Sequence, residues 1–197
     1  MSTNITNSDN ASSVNQSNAS AQGDMIGRDK ITNTTNQFER RKSQIESWME
    51  KLAQEISSNE KTQEMVDSLQ YFKKKYSVDG IDGLENKLEH AGRGKEQIAK
   101  ALMRKEEFSK LLDKYGLYGS AQEIFAFLLS RVEHLFEVEV TPLIGHVDDT
   151  EIEKLIQHKV VSPVLDEMSQ GVFAVNNNHA SGMVYWLAEQ CFIRWHK

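Results

Sequence analysis

SAQEIFAFLLSRVEHLFEVEVTPLI, residues Ser120 to Ile144, is the stretch on which the fold turns. Ala121, Ile124, Phe125, Leu128, Leu129, Val132, Leu135, Phe136, Val140 and Leu143 recur at three- and four-residue steps, so they lie along one side of a helix. Ser120 and Glu123 have the spacing of a capping box, which marks the start. Gly145 and the polar run after it mark the end. Fully burying one large side chain stabilises by roughly 1.5–3 kcal/mol. A stripe this long is therefore expected to nucleate the core.

Working outward, a helix from about Lys95 to Tyr115 carries Ile98, Ala101, Leu102, Phe108, Leu111, Leu112 and Tyr115. Gly116 and Gly119 separate it from the central stretch. Ahead of it, a short helix with Leu84 and Leu88 stands between the turn clusters Asp79-Gly80-Ile81-Asp82-Gly83 and Gly92-Arg93-Gly94. Thr34 to Asn59 reads as a helix with Phe38, Ile45, Trp48, Met49, Leu52 and Ile56 on one face. A second helix reaches about Tyr76 through Met65, Leu69 and Phe72. The short polar break between them predicts an antiparallel hairpin, or one long coiled element, over 34–78.

Beyond the central stretch, Asp148 to Glu151 has the form of a helix start, with Ile152, Leu155, Ile156 and Val160 behind it. Ser162-Pro163 predicts a kink or a fresh start, because proline fits a first turn and breaks an interior. Ser181 to Gln190 reads as a compact apolar helix, and Cys191 to Trp195 alternates like a short strand.

The N-terminal part is different in kind. Residues 1–22 are Asn, Ser and Thr with scattered Ala, so ordering them recovers little free energy. Fixing each residue costs roughly 1–2 kcal/mol, and a disordered polar tail is expected. Gly23-Asp24-Met25-Ile26-Gly27-Arg28-Asp29-Lys30-Ile31-Thr32 then places short apolar pairs between glycines. It reads as a short strand that needs a partner edge, either on its own domain or on a second copy of the chain. The architecture expected is mainly α: a tail (1–22), a short β association segment (23–33), the helical pair (34–78), and a multi-helix body (79–197) with a short C-terminal strand.

The chain has 197 residues and a formal net charge of -6, which disfavours bulk attraction to DNA or an anionic membrane. The single cysteine, Cys191, allows no internal disulfide and fits a reducing compartment. No apolar run approaches the ~20 residues of a membrane helix, and no signal-peptide core stands at the start. The cytoplasm is the expected location.

Little in the chain suggests chemistry. His134, His146 and His158 are twelve residues apart and out of helical phase, which argues against a metal site. Gly92-Arg93-Gly94-Lys95 is followed by Glu96 rather than Ser or Thr, and no strand precedes it, so it is not a phosphate loop. Cys191 lies in apolar surroundings and reads as a structural thiol. No catalytic, cofactor or metal residue is assigned. The run Tyr71-Phe72-Lys73-Lys74-Lys75-Tyr76 interleaves aromatics with lysines, as single-strand binders do. At helical spacing Phe72 belongs to the core and Lys73, Lys74 and Lys75 to the solvent face.

Three blocks together carry a resemblance: Gly23 to Ile31, with Asp24, Ile26, Gly27, Arg28 and Asp29; the body around Gly83-Leu84-Glu85-Asn86-Lys87-Leu88 and Tyr118-Gly119-Ser120-Ala121-Gln122-Glu123-Ile124; and the ending Gly182 to Trp195. The chain resembles the C-terminal interaction domain of ABC-three-component bacterial conflict systems, related to Lamassu-type anti-phage defence. The resemblance implies an SMC-like ABC ATPase and a small middle component as partners, with this domain tethering an effector to them. A polar tail stands where the effector would be expected, so the expectation is a non-enzymatic adaptor that also self-associates. Its contact residues are expected in the Gly23–Ile31 block and at Tyr185, Arg194 and Trp195. The other expectation is a nucleic-acid-binding module. On that reading, replacing Lys73, Lys74 and Lys75 by alanine reduces salt-dependent DNA retention; unchanged retention removes it.

Overall fold

The computed structural model describes residues 42–75, 77, 80–168 and 174–195, and these are mainly helical, with no strand among them. The tail, the 23–33 segment and residues 34–41 lie outside the described residues. The elements are α1 (Gln44–Ser58), α2 (Asp67–Lys73), α3 (Leu84–His90), α4 (Lys95–Tyr115) and α5 (Gly119–Glu139). A 3-10 turn (Thr141–Leu143), α6 (Asp149–Leu155), a π-helical run (Ile156–Val161), α7 (Ser162–Glu167) and α8 (Asn177–Glu189) follow.

The central stretch forms α5, but both of its ends differ from expectation. Ser120 and Glu123 make no capping box. The helix starts at Gly119, and Glu55 of α1 caps it from across the fold: its carboxylate accepts from Ser120 N–H at 3.1 Å and from Ser120 Oγ at 2.8 Å. A carboxylate at a helix N-terminus meets the positive end of the helix dipole. At the other end the α-helix stops at Glu139, and Pro142, which has no N–H to donate, sits in the 3-10 turn.

The innermost helix is α8, in which every residue from Ala180 to Ala188 is buried. A helix apolar on all sides belongs inside a core. Its closest neighbour is α4, and Gly182 makes that approach possible. A Cβ at 182 would stand 2.2 Å from the Arg104 carbonyl oxygen and 2.8 Å from Phe108 Cβ. Beside the crossing, the Phe108 ring meets Phe125 and Trp186 edge-on, both at 5.9 Å.

α1 and α2 dock mainly on α5 rather than on each other. Trp48 packs edge-on against Phe127. Gln122 of α5 fastens the link ahead of α2: its carbonyl accepts from Val66 N–H at 2.7 Å, and its amide donates to the Glu64 and Gly116 oxygens. Lys42–Lys197 forms one unit by its contacts.

The kink expected at Ser162-Pro163 is realised as a widened turn. Ser162 donates to Gln157 O, five residues back, through both its N–H and its Oγ. One extra residue per turn accommodates a proline that cannot donate to residue 159 and would crowd its carbonyl. No strand forms over Cys191–Trp195; these residues make a turn followed by a bent, non-helical segment. No helix among the described residues is long and apolar enough to cross a membrane.

The α4–α8 crossing yields a first prediction. Gly182→Ala gains roughly 1 kcal/mol of helix propensity, but its methyl meets backbone, and overpacking of this kind costs about 3 kcal/mol. The net loss of about 2 kcal/mol lowers the melting temperature by roughly 4–8 °C, measurable by circular dichroism.

Candidate interaction groove

Among the described residues, three helices end in the same way. In a Schellman ending a residue in the left-handed region follows the helix, and two backbone N–H groups turn back onto its last carbonyls. Asn59 (φ 54°) does this after α1, Gly92 (φ 75°) after α3 and Cys191 (φ 70°) after α8. After α8, Cys191 N–H donates to Ala188 O at 3.1 Å and Phe192 N–H to Leu187 O at 2.9 Å. This reversal throws Phe192, Ile193, Arg194 and Trp195 back across the body.

α3 secures the reversal. Lys87 is fully buried, and its ammonium donates to Ala188 O at 2.7 Å and Ile193 O at 3.2 Å. At the start of α3, Gly83 (φ 82°) lets Leu84 N–H reach Glu189 Oε2 at 3.1 Å, and Lys105 Nζ pairs with the same oxygen at 3.1 Å. Cys191 is buried, with its thiol 3.7 Å from Asp82 Oδ1. Partial burial pushes the Glu189 carboxyl up, but Leu84 N–H, Lys105 and Lys75 outweigh it and hold the pKa below the ordinary value.

Between this reversed segment, the end of α2 and the outer face of α5 lies a groove of about 750 Å³. Phe136, Cys191 and Ile193 contribute its apolar lining. Tyr71, 53% exposed, and Phe192 form one wall, with their rings 5.2 Å apart. Lys74, Lys75 and Arg194 supply cationic groups, and Glu133 and Glu137 supply carboxylates. Partial burial, helped by Glu137, raises the Glu133 pKa.

The groove thus gathers Lys74, Lys75 and Arg194, which the sequence singled out separately. Lys73 is exposed but does not line it. Tyr185 and Trp195, expected among the contact residues, are buried and stacked, with centroids 5.9 Å apart. Burial of Tyr185 raises its pKa, with Glu153 adding to the effect. Gly23, Asp24, Ile26, Gly27, Arg28, Asp29 and Ile31 lie outside the described residues. His134, His146 and His158 are exposed, and no group of three or more metal-ligating side chains occurs among the described residues. Sequence reasoning missed the roles of buried Lys87 and Glu55 and of half-buried Glu189. For Lys87 a signal existed: it shares a helix face with Leu84 and Leu88.

The helical body with its reversed C-terminal segment coincides with a known family. Residues 83–195 match C-terminal domain 9 of the ABC-three-component (ABC-3C) systems, and over that majority of its length the chain belongs to this family. Comparison with curated proteins and with solved structures gave no match. The matched span opens at Gly83 and closes at Trp195, so it contains both sides of the Lys87–Glu189 junction. α1 and α2 precede it.

The junction has a pH signature. A carboxylate whose folded pKa is depressed contributes stability above its unfolded value, about 4.3, and loses it as pH falls through the folded value. Glu189→Gln should therefore cost about 1.5 kcal/mol at pH 7. The gap to the parent protein should hold above about pH 5 and close as the pH drops below about 4, read from urea unfolding at a series of pH values.

Proposed function

We propose that the protein is a non-enzymatic adaptor of an ABC-3C system acting in cytoplasmic anti-phage defence. It docks to the SMC-like ABC ATPase or to the middle component through the groove beside Tyr71. The observation that carries the reading is the makeup of that groove: an apolar floor, a wall of exposed Tyr71 and half-buried Phe192, and charges of both signs. Aromatic and arginine side chains around a desolvated centre are the usual energetic anchors of protein interfaces. Family membership supports partners within the same system.

The nucleic-acid alternative is less well supported by the same groove. A phosphate held by Lys74, Lys75 and Arg194 would also face Glu133 and Glu137, and like charge there reduces the counterion-release gain that drives such binding. In this reading the 23–32 segment serves self-association, on the strength of its sequence alone.

Co-expression with the ABC ATPase and the middle component tests the adaptor role. Lys74→Glu combined with Arg194→Glu should weaken capture at least tenfold, about 1.4 kcal/mol, with unchanged helicity. Equal capture would remove the groove from the interface, and a parent protein that binds neither component would remove the adaptor role.

A further inference from the structure

A second, smaller cleft of about 290 Å³ lies between the α3–α4 turn, residues 144–149 and Trp195. Two nearly buried donors line it. The Arg93 side chain is 3% exposed, and Trp195 is 5% exposed. Three of their nitrogens are buried without a hydrogen-bond partner among the described residues: Nε and Nη1 of Arg93, and Nε1 of Trp195. Native interiors bond nearly all such groups, so a cluster of three has a cause.

The charge of Arg93 is already balanced even though its directional bonds are not made. Asp149 Oδ2 lies 3.1 Å from Nη1, outside good hydrogen-bond geometry, and Glu153 Oε1 lies 3.5 Å from Nη2. What the cleft offers is therefore N–H groups without net charge to neutralise. An occupant must accept hydrogen bonds. A carboxylate or phosphate could do so, but it would stand beside Asp149 and Glu153 and be repelled. A neutral amide oxygen accepts equally and carries no such penalty. The rest of the wall includes Ile144, Val147 and Ile152, which suit a small apolar side chain next to that oxygen.

We propose that this cleft receives a neutral peptide carbonyl, bonded by Arg93 Nε and Trp195 Nε1, with the adjoining side chain resting on the apolar wall. Its source, which rests on the adaptor reading above, is a segment of another component of the system. The chemistry of the cleft is independent of that source, and the two are tested apart.

In the ¹⁵N-labelled full chain, the indole N–H of Trp195 and the Nε–H of Arg93 are direct reporters, assigned through Trp195→Phe and Arg93→Lys. N-methylacetamide should shift both resonances together and saturably, while acetate and phosphate at equal concentration leave them in place. Shifts caused by the anions and not by the amide would overturn the proposal, as would no shift with any probe, which would mean that the donors hold only water. In co-expression, Trp195→Phe keeps an aromatic ring and removes the donor. It should reduce capture of the ABC ATPase or middle component at least tenfold while the variant stays folded, its melting temperature lowered only by the smaller ring between Tyr185 and Phe136. Equal capture by parent and variant overturns the partner assignment while the adaptor role stands. An amide response in a parent protein that captures neither component supports the cleft and removes the adaptor role.

Discussion

A lysine ammonium held inside the protein and bonded to carbonyls at the far end of the domain is the constraint that the rest of the structure serves. An ammonium taken out of water costs several kcal/mol even after relaxation, so Lys87 is tolerable only where oxygens have been assembled for it. Those oxygens, Ala188 O and Ile193 O, are in place because α8 ends in a Schellman turn at Cys191. Cys191 occupies a left-handed conformation that favours glycine. Strain at one residue thus allows Lys87 to bridge the end of α8 and the segment that follows it.

The same junction places the surfaces that face outward. Reversal at Cys191 lays Phe192 and Arg194 along the groove and turns Ile193 and Trp195 inward. Trp195 then fits between Tyr185 and Phe136, at 5.9 Å and 5.5 Å, which brings its indole edge to the cleft that also holds Arg93. Groove and cleft are consequences of one backbone turn, and a change at the α3–α8 contact reaches both.

Much of the helical body was legible because its signals are local. The apolar stripes of α4 and α5, the break at Gly92-Arg93-Gly94 and the irregularity at Pro163 all follow from neighbouring residues. The errors share a cause, which is that a distant group competed with the local one. Ser120 and Glu123 have capping-box spacing, yet Glu55 reaches the helix start first. Cys191 to Trp195 does alternate between buried and half-buried positions. The alternation comes from a single non-helical run over the core, and no strand among the described residues supplies a ladder. The candidate groove was legible only as scattered charges, since nothing in the spacing of Lys74, Lys75 and Arg194 announces that α5 brings them together.

The separation in sequence between Lys87 and its acceptors, 101 and 106 residues, has a consequence for biosynthesis. While the ribosome is still adding those residues, α3 is complete but neither of these two carbonyls is yet there for its ammonium to bond. Closing the body before residue 193 is available would bury the ammonium without these two acceptors, which costs free energy. The α3–α8 contact therefore belongs to the late steps in assembling the domain, after residue 193 has been added.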